Sequence, residues 1–516
     1  MSPIENGGGQ ERNSALDTPV EKLFVGARVI DPESGLDGPL QVGVRDGTIT
    51  YVGSERILAE STVDVSGLVL CPGFIDMHSH AQSVNGLRLQ ALDGVTTSLD
   101  LESGALPVPL TYEVVAEEGR PINYGYAASW ATARLHVVDD MPMPARSASG
   151  EMPASLDVFQ ARQNAARWNS VASKAEVDRI IAVLEEGIAD GAIGIGVLLG
   201  YAPDSGRTEY FRTAQLASRL GVGVFTHSRA KSNVEPVSSL EGALEIVGAA
   251  AGTGASMHIC HLNSTSLRHI DEIAAAIEIA RTLGNRVTTE AYPYTASSTG
   301  IGAAFLAPDA LHRIGIEPKD ITYLPTGERI ADAGRLAELR ATNPGGLCVI
   351  DYLRADDPAD RDILLTSITL ADTAVASDAM PLVLDGERDR STEWPPDPRA
   401  IAHPRSMGCF ARALSWLTRE LGVFSLPETI RRCTLLPAQI LEETAPAMRS
   451  KGRIQVGADA DITVFDPDTV AEGATYDKIG PSTGFRHVIV NGEFVVKEGE
   501  LVVSALPGRP VKGRGR

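Results

Sequence analysis

The chain has 516 residues, 43% of them hydrophobic and 22% charged, which is enough for one large core and a second small one. Its formal net charge of -21 argues against wholesale binding to nucleic acid or an anionic membrane, and leaves any acidic substrate in need of a local cationic pocket. Five scattered cysteines without CxxC spacing suggest neither a disulfide framework nor a cysteine zinc site and point to a reducing cytoplasm, and no apolar span approaches the roughly 20 residues of a membrane helix.

Residues 1–18 are polar and glycine-containing, without an apolar signal core, and read as a disordered leader. From residue 19 to 70 short β-rich runs such as Leu23-Phe24-Val25 and Thr48-Ile49-Thr50-Tyr51-Val52 alternate with turn signals such as Asp46-Gly47. Residues 446–506 show the same pattern, so the two ends are expected to build one β-sandwich. Between them, in residues 71–445, strand-like runs alternate with helical stretches such as Lys174 to Asp190 and His269 to Leu283. That alternation predicts a parallel sheet of βα units, and the length favours a closed (β/α)8 TIM barrel. The segment 300–346 is long for one connection and reads as a helical insertion over the barrel mouth. Residues 507–516 are basic and rich in glycine and proline, which reads as a flexible tail.

The candidate chemistry begins at Gly73-Phe74-Ile75-Asp76-Met77-His78-Ser79-His80. Two histidines one residue apart project from the same face of an extended strand, so one divalent metal, zinc among them, can bind both His78 and His80. The apolar run before them delivers the pair to a strand's carboxyl end, where barrel sites lie. The run Val222-Gly223-Val224-Phe225-Thr226-His227 ends in a third histidine. A fourth candidate comes from Ala255-Ser256-Met257-His258-Ile259-Cys260-His261. His258 and His261 differ by an odd number of positions, so a regular strand can aim only one at the axis; the terminal His261 is chosen and His258 is read as packed or as standing behind a ligand. Thr373-Ala374-Val375-Ala376-Ser377-Asp378 ends in an aspartate able both to ligate a metal and to accept a proton from water.

The ordered series His78/His80, His227, His261 and Asp378, each at the end of a different strand, resembles the amidohydrolase superfamily over nearly the whole chain. Within it, Gly94-Val95-Thr96-Thr97, His227-Ser228-Arg229, Ala291-Tyr292-Pro293-Tyr294 with Ser297-Ser298-Thr299, and His403-Pro404-Arg405 look like the N-acyl-D-amino acid deacylases. Details around His258 to Ser264 and Ser377 to Pro381 are similar to the D-glutamate branch. The resemblance implies zinc, one or two ions per subunit, and hydrolysis of an acylated amino acid as small-molecule substrate, with a homo-oligomer left open. It also implies substrate contacts from Tyr201, Arg229 and Ser298, of which Arg229 is the expected grip on an anionic group.

Three departures from the family pattern stand out. The fourth-strand run Gly191-Ala192-Ile193-Gly194-Ile195-Gly196-Val197 has no lysine, which excludes a carboxylated-lysine bridge between two metals. The D-aminoacylases use a cysteine after the Gly-Val-Thr-Thr strand, where this chain has Ser103; the adjacent Glu102 offers a charged carboxylate as bridging ligand, with Asp100 as the runner-up. The family lysine two residues after the sixth-strand histidine is replaced by Asn263, and Arg388, Arg390 and Arg405 read as surface salt-bridge formers. Two other readings share the barrel pattern: a cyclic-amide hydrolase or deaminase, and a non-catalytic assembly protein on the same scaffold.

Overall fold

The structure, a computed structural model, describes residues 18–147, 152 and 155–515. The leader expected at 1–18 thus falls, except for Thr18, outside the described residues.

Eight short strands form the frame. They are β1 Phe74–Asp76, β2 Val95–Ala105, β3 Asn123–Ser129, β4 Gly194–Leu198, β5 Gly223–His227, β6 Ser256–Ile259, β7 Val287–Ala291 and β8 Thr373–Val375. Each pairs in parallel with the next. Both faces are covered, one by side chains inside the barrel and the other by helices, so these strands read as buried apolar runs without alternation. The circle closes through side chains and one bridge. Asp76 at the end of β1 accepts from the Ser377 backbone N–H just after β8 at 3.0 Å, and Ser79 pairs with Ala379. The outer helices carry their own signals, as in Lys174–Ala189, whose start is fixed by a reciprocal Ser173/Glu176 capping box.

Both chain ends contribute to one continuous nine-stranded sheet, in which Val69–Pro72 pairs antiparallel with Ile462–Phe465. Phe24, Val42, Val44, Leu70, Ile462, Val464 and Ile489 enclose its core. The segment expected as a helical insertion is mixed. Strands Ser297–Gly300, Leu347–Ile350, Ile321–Tyr323 and Glu328–Arg329 make an antiparallel sheet, packed with helix Ala333–Thr342 on a core that includes Ile301, Leu306, Ile321 and Leu336. A segment of this length needs its own core, and pairing its two ends supplies one.

The expectation of a flexible tail is corrected. Val511 is buried, its N–H donates to Tyr124 O at 2.7 Å, and its carbonyl accepts from the Tyr112 hydroxyl at 2.6 Å. Gly513 N–H donates to Gly191 O at 2.9 Å. These partners sit at or before the starts of β3 and β4, so the tail closes the barrel end opposite the carboxyl ends of the strands. Composition misled because glycine and proline suit a chain that must follow a surface closely as well as one that is loose; a Cβ on Gly508 would lie 2.1 Å from Ile122 O.

Candidate metal centre

Asp76 anchors the entrance to the site. Its carboxylate is buried, accepts from His78 N–H at 3.2 Å and Gln90 Nε2 at 2.7 Å, and fixes the turn that carries His78 and His80 past the end of β1. Burial pushes this carboxyl up to about 6 despite the donors around it. The two rings then meet with Nε2 atoms 3.2 Å apart. Their other nitrogens are held from outside the centre: His80 Nδ1 lies 3.1 Å from Asp100 Oδ1, and His78 Nδ1 contacts Glu290 Oε1. Carboxylates behind imidazoles fix ring orientation and tautomer, as around bound metals.

Glu102 lies late in β2, where the strand outruns its neighbours. Its Oε1 is 2.8 Å from His261 Nε2 and 3.2 Å from His227 Nδ1, whereas its Oε2 is 3.3 Å from His78 Nε2 and 3.5 Å from His80 Nε2. One carboxylate therefore divides its oxygens between two imidazole pairs. Asp378 Oδ1 faces the first pair, 3.5 Å from His78 Nε2 and 3.8 Å from His80 Nε2. Its Oδ2 accepts from Arg405 Nη2 at 2.7 Å. His261 and Asp378 both have left-handed backbones, with φ of 34° and 49°, a strained conformation for non-glycine residues that concentrates at functional sites.

The electrostatics describe a site built for cations. Burial works against charging His78, but Glu102, Glu290 and Asp378 overcome it and hold the imidazole well above its ordinary value. In His80 burial is likewise outweighed, chiefly by Asp100, and the group is pushed up to about 9. Burial also opposes the charge on Glu102, yet His78, His261 and His227 hold it well below the usual carboxylate range. His227 runs the other way, pulled down to about 4 by burial, and its Nε2 is buried with no hydrogen-bond partner among the described residues. Facing imidazole nitrogens, an orphaned ring nitrogen and a shared carboxylate fit divalent metal better than they fit protons. His78, Glu102 and His261 form one grouping with metal-ligand proximity, and His78, His80 and Asp378 another.

All six residues expected as ligands thus converge. Asp100, the alternative bridge, instead orients His80. Of the expected substrate contacts, Tyr201 and Ser298 line the cavity over the centre; the Tyr201 hydroxyl bonds Thr299 Oγ1 at 2.7 Å, and Ser298 Oγ is buried without a partner among the described residues. Arg229 is not available for substrate. Its Nε and Nη2 bind Glu245 at 2.6 and 2.9 Å, and Nη1 binds the Ser205 carbonyl at 2.8 Å, so it braces the loop after β5. Arg405, read as a surface residue, is wholly buried beside Asp378 with its guanidinium carbon 4.4 Å from the Tyr292 ring centroid. Asn263 donates to the Tyr352 hydroxyl at 2.8 Å.

Three residues were missed. Glu290 lies on β7 and links His78 to His258, whose Nε2 is 3.1 Å away; a carboxylate in a run as short and buried as Val287–Ala291 was the available signal. Arg405 had none beyond its motif. Lys231, four residues after His227, is buried in the cavity wall, where desolvation, with Arg405 adding to it, pulls its ammonium down to about 7. Nothing in its local sequence marks it.

A barrel with a histidine pair at the end of β1, further histidines after β5 and β6 and an aspartate after β8 defines a class of metal-dependent hydrolases. The amidohydrolase family profile matches residues 61–313 and 242–496, and the chain belongs to that family. It is 27% identical over 508 residues to the N-acyl-D-glutamate deacylase of Alcaligenes xylosoxydans xylosoxydans, covering 92% of this chain and 93% of that one. To the D-aminoacylase of the same organism it is 27% identical over 499 residues, covering 93% and 95%. Among solved structures it shares its fold with a D-aminoacylase at a TM-score of 0.74 and 22% identity, covering 96% of this chain and 100% of that one. An N-acyl-D-glutamate deacylase from Bordetella bronchiseptica, complexed with zinc and a phosphonate mimic of the tetrahedral intermediate, gives 0.73 and 23% with the same coverage. Among the described residues no helix is long and apolar enough to cross a membrane.

Proposed function

We propose that the protein is a zinc-dependent hydrolase of N-acyl-D-amino acids, cleaving the linear amide to a carboxylate and a free D-amino acid, with N-acyl-D-glutamate among its candidate substrates. The observation that carries the metal chemistry is Glu102, whose two oxygens each face a separate imidazole pair. The relatives spanning more than nine-tenths of the chain support the substrate class. His78, His80 and Asp378 would hold one ion and His227 with His261 another, with Glu102 shared between them. Zinc, when bound, polarises a carbonyl and acidifies water.

The chain's own groups supply the rest. Asp378 keeps Oδ1 toward the imidazole pair because Arg405 holds Oδ2, and from there it takes a proton from the attacking water. As the tetrahedral intermediate collapses, the same carboxyl returns that proton to the departing amide nitrogen. Tyr201 and Ser298 offer hydroxyls to the acyl amino acid, and Phe305, Leu156 and Met380 make the cavity wall apolar enough to limit bulk water. Cyclic amides and nucleobases enter the test as controls.

The direct test supplies zinc to the purified protein and follows amine release from N-acetyl D- and L-amino acids, glutamate included. Release from D-substrates at one or two zinc ions per chain is expected. A preference for L-substrates would overturn the stereochemical reading, and ammonia release from nucleobases alone would overturn the deacylase reading.

A further inference from the structure

The loop leaving β5 places the Lys231 ammonium against aromatic rings inside the cavity, with Nζ 4.8 Å from the Tyr352 centroid and 5.3 Å from the Phe305 centroid. The side chain is buried, and the described residues give Nζ neither an ion pair nor a hydrogen bond. A buried ammonium without an anion is costly to fold, and aromatic faces only partly replace its lost hydration. A group from outside the chain that carries a negative charge would offset that cost, and a desolvated ionisable side chain in a cleft marks a candidate binding group.

Its neighbours carry the same deficit. Ser298 Oγ, and Nε and Nη1 of Arg405, are buried donors without acceptors among the described residues. Two nearby guanidinium groups already face carboxylates, Arg405 through Nη2 to Asp378 and Arg229 to Glu245. Whatever its side chain, an N-acyl amino acid carries the α-carboxylate of its amino acid half, and the two oxygens of that group can accept from Lys231 and from a second donor such as Ser298.

We propose that Lys231 is a specificity-determining residue that binds the free carboxylate of the substrate, and so restricts turnover to amides whose amine half carries an acid. The inference rests on the deacylase reading. It requires no ligand from Lys231 to metal, and it supplies the local cation that a chain of net charge -21 needs for an acidic substrate.

K231M and K231R, with zinc content measured, are compared with wild type on the best N-acetyl-D-amino acid of the panel and on its α-carboxamide. K231M is expected to raise KM for the acid roughly 30-fold or more, the effect of removing one member of a buried charge pair, with kcat changed less than about threefold. The carboxamide should be unaffected, and K231R should recover most of the loss. Equal preference for acid over carboxamide in wild type and K231M overturns the proposal. The metal-loaded K231M protein should melt no lower than wild type, because an unpaired ammonium has been removed; a clearly lower melting point would make Lys231 a structural residue and also overturn it. Calorimetric binding of N-acetyl-D-alanine separates this inference from the reading beneath it. A wild type that binds the compound without cleaving any acyl amino acid, beside a K231M that does not bind it, sinks the deacylase reading and leaves the lysine's role standing. Equal binding by both proteins sinks the lysine's role whatever the turnover.

Discussion

Glu102 touches both imidazole pairs, so the stoichiometry of the centre turns on one side chain. Replacing it with alanine leaves the pairs without a shared anion, and zinc per chain should fall by at least one ion when measured by mass spectrometry. Asp378→Asn should act differently. An amide still fills the space and still faces Arg405, so most metal should remain, but it cannot accept the proton, and turnover should drop by about 100-fold to 10,000-fold. Retained turnover with retained zinc would remove Asp378 from the mechanism. Protonation also sets the metal affinity. The folded metal-free protein holds protons on His78, well above its ordinary value, and on His80, raised to about 9. Each must leave before its ring can ligate, so protons compete with metal, and apparent zinc affinity should rise with pH from about 6.5 towards 9. Competition with a chromophoric chelator at several pH values measures this, and a flat profile would contradict the assigned ligands.

Strand ends do what strand interiors cannot. Alternation allowed only one of His258 and His261 to face the axis, and its place at the strand's carboxyl end chose His261; the structure puts His261 Nε2 2.8 Å from Glu102 Oε1, but not by alternation. β6 stops at Ile259, so strand parity no longer governs His261, whose left-handed backbone turns it into the centre. His258 reaches the same centre at one remove, through Glu290. The absent fourth-strand lysine also acquires a physical reading. Gly196 on β4 lies under the end of β2, where a Cβ would come within 2.3 Å of Glu102 O and 2.5 Å of Leu101 O. Any side chain there collides with backbone, so β4 gives up a ligand and β2 gains room to deliver one. Gly196→Ala should therefore displace Glu102, lowering both zinc content and activity, while Gly248→Ala, where a Cβ meets nothing within 4 Å, should leave zinc content as in wild type. Equal zinc content in the Gly196 variant and wild type would refute that account.

At the scale of the whole molecule, the two chain ends hold the barrel from different sides. The nine-stranded sheet joins them through Val69–Pro72 and Ile462–Phe465, and the last residues seal the barrel end away from the metal centre. Deleting residues 507–516 removes the buried Val511 and several backbone hydrogen bonds, a loss of about 2 to 4 kcal/mol from burial and bonding together. A lowered unfolding midpoint in denaturant, with zinc content per folded chain unchanged, is the expected outcome. An unchanged midpoint would mean that the docking contributes nothing.

By themselves, the residues of this chain determined the βα alternation, the kinship of its two ends, and the histidines and aspartate of the centre. Those features are local, since apolar runs make buried strands and ligands sit next to strand ends. Tertiary structure alone decided the rest. That Glu102 faces both imidazole pairs, that Asp100 and Glu290 orient rings from behind, that Arg229 is spent on Glu245 and that Lys231 stands in the cavity with no ion pair or hydrogen bond among the described residues all depend on distances between separate strands and loops. Charge and hydrogen bonding act through space, and spacing along the chain does not encode which side chains will meet.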